Sequence, residues 1–419
     1  VGIHSYLSVG GYDILSTKGG FVREALAVFD DDDRVRDDWG IHYRASIGVV
    51  RDRLETMGFA LRLSKAALLG AAAARARELS EDGVLLDYEA ERHVCERLTF
   101  DDWLAAFRDL KVTGIHSWNR SDVGLEIGGL DPALVEETLS RDPSLFDYLL
   151  DTLHGDERFG YPDGDFRALL RGAIEAGHDD EIVEYELSEL SGYYTLGELS
   201  PAAARDSLIA DFPSNAPIIV LTEGPTDIEA IQSAMSVLVP HLRPYYSFLD
   251  FSGAAARGGA TALMEVVKAF AGARLVNRIV AIFDNDAVGR DAVRLLSRGL
   301  LPPNIRVVLL PSLEAAKFYP TIGPSGPSID NINGRAASIE LYFGLDVLSD
   351  PGSGVLKPVR WAGFVPGIGE YQGELSDKAG LQARYAAKAA AALSNPDVRA
   401  SQDWSGMAAI IDALCTAFW

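Results

Sequence analysis

The sequence predicts an α/β protein. A four-stranded parallel sheet is expected in the second half of the chain, with a mostly helical region behind a small β element before it and a helical extension after it. Three observations carry this. Residues before 212 are dominated by Ala-, Leu- and Arg-rich stretches whose apolar residues fall at helical spacing. Between 218 and 311, short β-branched runs alternate with amphipathic stretches of 10–15 residues. That alternation is the pattern of βαβ crossovers and hence of parallel strands.

In chain order, "SYLSVGGYDILSTK" (5–18) alternates about Gly10 and Gly11 and reads as a hairpin or short sheet. The acidic run at 30–33 is most simply a solvated loop. A long helical pattern runs from Tyr43 to Leu79, and further helical segments fall near 101–112, 132–153, 164–176 and 180–190. "DFPSNAP" (211–217) marks a joint. Beyond it come the strands "IIVLTEG", "YYSFLDF", "RIVAIFD" and "NIRVVLLP", separated by three helices. A Gly/Pro-rich loop at 319–334 precedes helices near 377–394 and 403–416. The expected organisation is a small N-terminal β/α domain (1–60), a helical region (61–212), an α/β catalytic domain (213–345) and a C-terminal helical extension (346–419).

Composition narrows the function. The formal net charge of −23 argues against a broad cationic surface holding nucleic acid by counterion release. The excess of acid lies mainly before residue 215. Between Ala216 and Ser312 nine Lys/Arg face eight Asp/Glu. Two cysteines, Cys95 and Cys415, sit outside any metal-ligand pair. No apolar run reaches the roughly 18 residues that span a bilayer, and the start lacks a signal-peptide pattern. The expectation is a cytoplasmic protein with reduced thiols and no membrane partner.

In open parallel sheets, ligands bind outside the carboxyl ends of the strands. "IIVLTEGPTD" brings Glu223 to such an end and Asp227 to the start of the next helix; "RIVAIFDND" brings Asp284 and Asp286 to another. Carboxylates converging at one edge repel in a low-dielectric crevice, and a divalent cation relieves that. Hard oxygen ligands favour Mg²⁺, Mn²⁺ or Ca²⁺ over zinc. Three other readings compete. Asp227 and Asp286 are also good helix caps. "DNDAVGRDAVRL" has EF-hand-like Asp284, Asp286 and Gly289, but Val288 and Leu295 replace required ligands. A phosphotransferase of the haloacid-dehalogenase type uses an Asp-x-Asp after a strand, yet leaves Glu223 and Asp227 without a role.

Taken together, the Glu at the end of the first strand, the Asp-x-Asp at the end of the third and the β/α alternation between them resemble the Toprim domain, a Rossmann-like metal-binding core. "EGPTD" is most similar to the OLD-like nuclease branch. The flanks "SYLSVGGYDILSTK", "YRASIGVVRDRLETMGF", "FSGAAARGGATALMEVVKAFAG" and "NGRAASIELYFG" resemble bacterial HEPN/Toprim-associated proteins. The resemblance implies a Mg²⁺- or Mn²⁺-dependent nuclease acting on DNA or RNA in defence against phage. It makes Glu223 the general acid or base and a metal ligand, with Asp284 and Asp286 catalytic and metal-binding, assisted by Asp227. Glu340 would supply the further acidic residue that OLD-like nucleases carry after the core. Arg257 and Arg290, just beyond strand ends, and Lys378, at a helix start, are candidates to hold the substrate phosphate or stabilise transition-state charge.

A HEPN ribonuclease needs Arg-x(4–6)-His on a helix. Arg36/His42 lies beside the acidic run, and Arg171/His178 lacks a polar residue after the Arg, so the helical region reads instead as a scaffold or dimerisation surface. A homo-oligomer or a protein partner in a defence system is expected. The rival function is a catalytically silent Toprim scaffold, a regulatory subunit of a multi-component defence complex.

Overall fold

The computed structural model describes residues 3–35, 40–81, 88–115, 132–151, 159–161, 164–211, 215–250 and 258–419. The chain divides into two compact units, Val1–Asn215 and Ala216–Trp419.

The N-terminal unit is built on a four-stranded antiparallel sheet of β1 (His4–Val9), β2 (Tyr12–Lys18), β3 (His42–Ser46) and β4 (Ile182–Glu186), in the order β2-β1-β4-β3. The first hairpin is as its alternation predicts. β4 corrects the helix expected over 180–190: Val183 and Tyr185 are fully buried while Glu184 and Glu186 face outward, which is period-two alternation. β4 lies between β1 and β3, so the sheet takes strands from both sides of residue 60.

Helices α1 (Ile47–Met57), α2 (Leu61–Glu81), α3 (Glu89–Arg97), α4 (Phe100–Thr113), α5 (Pro132–Arg141), α6 (Pro143–Asp151), α7 (Phe166–Ala173) and α8 (Pro201–Asp211) complete the unit. Ser46 caps α1, Thr99 caps α4 and Asp165 caps α7, each accepting a first-turn N–H. Trp103 anchors the core, with Phe107 and Phe159 packed around it. No single helix among the described residues is long and apolar enough to cross a membrane; the one pair that would qualify together is bent by 77°.

In the C-terminal unit, β5 (Ile218–Leu221) is followed by α9 (Pro225–Leu238), β6 (Tyr246–Phe248), α10 (Ala260–Gly272), β7 (Ile279–Phe283), the two-residue β8 (Asn285–Asp286), α11 (Ala287–Leu296) and β9 (Ile305–Leu309). The sheet is parallel throughout, in the order β6-β5-β7-β9, as the alternation predicts. β7 is buried along its whole length, which explains its unbroken apolar run.

The tail differs from expectation. The Gly/Pro-rich loop is the hairpin of β10 (Tyr319–Gly323) and β11 (Gly326–Asp330), turning at Gly326 with φ +95°. β12 (Ala336–Ala337) pairs with β8. A 3₁₀ turn, Ile339–Phe343, replaces the helical run expected around Glu340. β13 (Val359–Val365) and β14 (Glu370–Leu375) form a second hairpin and join β10 and β11 in one sheet, so the tail is not purely helical. Its helices are α12 (Lys378–Ser394) and α13 (Ser405–Cys415), with short helices at Leu345–Leu348 and Pro396–Ser401.

Candidate metal centre

β5 and β7 are hydrogen-bonded neighbours, with Leu221 opposite Ala281, so the residues just past their carboxyl ends meet. Glu223 Oε1 accepts the backbone N–H of Asp284 at 3.0 Å. Asp227, in the first turn of α9, returns a side-chain oxygen to the Gly224 N–H at 3.0 Å. Asp286 caps α11, its Oδ1 accepting from the Gly289 N–H at 2.7 Å, and its Oδ2 accepts from Gln372 Nε2 at 2.5 Å. The capping role of Asp227 and Asp286 is therefore real and does not displace them from the cluster. Gly289 is required for a different reason than an EF-hand turn: a Cβ there would lie 2.2 Å from the Asp284 carbonyl oxygen.

Asp284 stands apart. Its half-buried carboxylate accepts no hydrogen bond and forms no ion pair among the described residues, and it faces Glu223, Asp227 and Asp286.

Electrostatics follow from this crowding. Burial, then the neighbouring carboxylates Glu223, Asp227 and Asp286, hold Asp284 well above the usual carboxylate range. Burial pushes Glu223 up to about 7, with Asp286 and Asp227 adding to the shift. Asp227 is pushed up to about 6 by burial and by Glu340. Asp286 is raised by burial, against the opposing pull of its Gly289 and Gln372 donors.

The 3₁₀ turn adds Glu340, 3% exposed, which accepts from Ser338 Oγ at 2.7 Å and from Gln382 Nε2 at 3.0 Å. Lys378 Nζ, from the start of α12, lies 3.3 Å from Glu340 Oε2. Burial pulls Lys378 down, but Glu340, Asp284 and Asp227 outweigh it and hold its pKa above the ordinary lysine value. Four of the carboxylates, Asp227, Asp284, Asp286 and Glu340, thus sense one ammonium.

The other expected residues fall elsewhere. Arg290 Nη1 donates to Glu370 and to the Gly334 carbonyl oxygen, both at 3.1 Å, which ties α11 to β14. Arg257 lies outside the described residues, as does Arg36. Arg171 is buried between Glu55 and Glu175, each at 2.6 Å, while His178 is exposed; that arrangement is an ion-pair staple, without an open Arg–His pair. Gln372 and Gln382, which touch two of the carboxylates, carried no signal in the sequence beyond being polar.

An oxygen-only donor set with an unpartnered Asp284 fits a hard divalent cation. The carboxylates are not drawn tightly together, however. Among the described residues, the group of three or more possible ligands lying within 4.8 Å of one another is His42, Glu184 and Glu186 on the N-terminal sheet. There His42 Nδ1 lies 2.7 Å from Glu186, while the Arg44 guanidinium holds Glu184 at 2.8 Å, so a cross-strand ion-pair network accounts for it.

No curated protein and no solved structure matches the chain. Residues 2–207 match the family model of the HEPN/Toprim N-terminal domain 1, and over that span the N-terminal unit is similar to this family.

Proposed function

We propose that the C-terminal unit is a Toprim nuclease centre of the OLD-like kind, hydrolysing phosphodiester bonds in DNA or RNA with Mg²⁺ or Mn²⁺. The observation that carries this reading is Asp284, a half-buried carboxylate among carboxylates that accepts no hydrogen bond and forms no ion pair among the described residues. A fold has no structural use for such a charge, and strongly perturbed groups gathered at strand ends mark functional sites. Asp284, Asp286, Asp227, Glu223 and Glu340 would hold the metal. When bound, a divalent cation would supply Lewis-acid charge to the phosphate and lower the pKa of water. Glu223, raised by burial and by neighbouring carboxylates in the metal-free centre, would share the metal or move the proton. Lys378 sets a positive charge at the rim, suited to a non-bridging phosphate oxygen. The match of residues 2–207 supports a place among HEPN/Toprim proteins, and with it a role in anti-phage defence, as a homo-oligomer or beside a protein partner.

One observation favours a second reading, a catalytically silent scaffold: the acidic oxygens are not gathered to within 4.8 Å of one another. The test is incubation of plasmid, single-stranded DNA and RNA with the full chain and Mg²⁺ or Mn²⁺, beside Asp284→Ala. Metal-dependent cleavage by the wild type alone is expected. Cleavage that persists in Asp284→Ala rules out this centre, and no cleavage of any substrate across salt concentrations favours the scaffold.

A further inference from the structure

Gln372 lies 86 residues after Asp286 on β14, yet it makes the shortest side-chain contact to that carboxylate. Its amide is engaged at both ends. Oε1 accepts the N–H groups of Ala287 at 2.9 Å and Val288 at 3.3 Å, two first-turn donors of α11 that have no partner within the helix. With the oxygen committed there, the amino group is turned onto Asp286 Oδ2 at 2.5 Å. Asp286 Oδ1 is already held by the Gly289 N–H. Both oxygens of Asp286 are therefore held by donors.

The backbone beneath is fixed as well. Asp286 pairs with Ala336 across β8 and β12, and the Gly373 N–H donates to the Arg335 carbonyl oxygen at 3.0 Å. Gln372 is thus held in place by the strand that the tail adds beside the core. The chemistry of the side chain matters. A carboxylate at this position would repel Asp286, and a lysine would neutralise charge that the centre needs. A neutral amide can cap the helix start and orient the carboxylate without changing the net charge of the site.

We propose that Gln372 is a positioning residue for the metal centre. It locks the Asp286 carboxylate so that its remaining lone pairs face the cluster, while Asp284, which accepts no hydrogen bond among the described residues, is left to turn onto a cation. This rests on the nuclease-centre reading above. The tail is then part of the site, because it supplies the group that presets one ligand.

The test is Mn²⁺ binding to the full chain, followed by the electron paramagnetic resonance signal of free Mn²⁺, without nucleic acid. Groups that orient metal ligands typically change affinity ~10–100-fold when removed. Gln372→Met, close in shape but without hydrogen-bonding ends, is expected to raise the Mn²⁺ Kd by about that factor. A purely structural role would instead lower the unfolding midpoint and leave the Kd of the folded protein unchanged. Should Gln372→Met fail to fold, Gln372→Asn is the variant to read; its amide is one methylene too short to reach both partners, and the same direction is expected. A Kd unchanged within about twofold in the folded variants overturns the proposal; if Asp284→Asn still abolishes binding, the centre itself stands. Wild-type protein that binds no Mn²⁺ overturns both.

Discussion

The buried arginines of the N-terminal unit and the acidic cluster of the C-terminal unit hold charge in opposite ways, although the C-terminal unit also pairs its buried Lys388 with Asp346 at 2.8 Å. In the N-terminal unit, Arg53, Arg167 and Arg171 are each nearly inaccessible, and each meets a carboxylate: Asp33, Asp165, and Glu55 with Glu175. In the C-terminal unit, four carboxylates at or just past the strand ends and Glu340 in the 3₁₀ turn crowd one region, and Lys378 is the cation that Asp227, Asp284, Asp286 and Glu340 sense. The buried charge faces an opposite charge in the first case and mostly like charge in the second. Paired buried charge serves architecture; crowded like charge needs another reason, and the proposed metal centre would supply one. Asp13 is the exception on the N-terminal side, pushed up to about 6 by burial and by Glu184.

The largest test of that contrast is to break a paired site. Arg171→Met leaves Glu55 without its guanidinium in a largely buried setting, while Glu175 keeps Arg51 at 3.8 Å. Breaking such a pair costs about 3–5 kcal/mol. The expected outcome is a large drop in the denaturation midpoint of the N-terminal unit, followed by urea unfolding.

The opposite change is expected to have the opposite sign. Asp284→Asn removes one charge from the acidic cluster and should stabilise the metal-free C-terminal unit, on the order of 1–3 kcal/mol, while abolishing metal-dependent cleavage. Thermal unfolding in chelator measures the first effect. A destabilised Asp284→Asn would mean that this carboxylate is satisfied in the fold, and the contrast between the units would fail.

The same contrast predicts pH responses of opposite sign. Folded-state values of about 6 for Asp227 and about 7 for Glu223 lie above their ordinary 3.8 and 4.5. The folded unit therefore takes up protons that the unfolded chain releases, and stability is lost as pH rises through about 6 to 7. Asp142, in the N-terminal unit, is held below its ordinary 3.8, chiefly by its hydrogen bond to Arg97. Its contribution is present above that value and lost only as pH falls below it. Hydrogen exchange on the intact chain at pH 5.5 and 7.5, corrected for intrinsic rates, should show α9 and α11 opening more readily at the higher pH. Helices α3 and α6 should change little.

Much of the centre was legible because strand ends announce themselves. An apolar run that stops at Glu223 or Asp284 marks both the element and the residue it delivers. What stayed hidden lacks such a boundary. Gln372 and Gln382 are ordinary polar residues whose partners lie 86 and 42 positions away, and no local spacing encodes that separation. β4 was obscured by composition: the acid-rich stretch around Val183 and Tyr185 suggests helix, and burial of those two side chains overrides it. The β10–β11 hairpin was hidden by its own turn residues, since Gly and Pro suggest a loop until Tyr319 and Thr321 are seen to be buried.

The smallest effect belongs to an exposed pair, and it separates burial from pairing. Arg97 Nη2 lies 2.7 Å from Asp142 Oδ1, with side-chain exposures of 48% and 32%. Its geometry matches the buried Arg171 contacts, but water screens both partners. Arg97→Ala is therefore expected to cost only about 0.2–1 kcal/mol, and less in high salt. Arg171→Met should be less sensitive to salt, because the guanidinium and Glu55 are largely shielded from ions. Parallel urea titrations at low and high ionic strength read both. Equal losses from the two variants would show that burial is not what gives these pairs their weight, and the unpaired charge of the C-terminal centre could then no longer be read as costly.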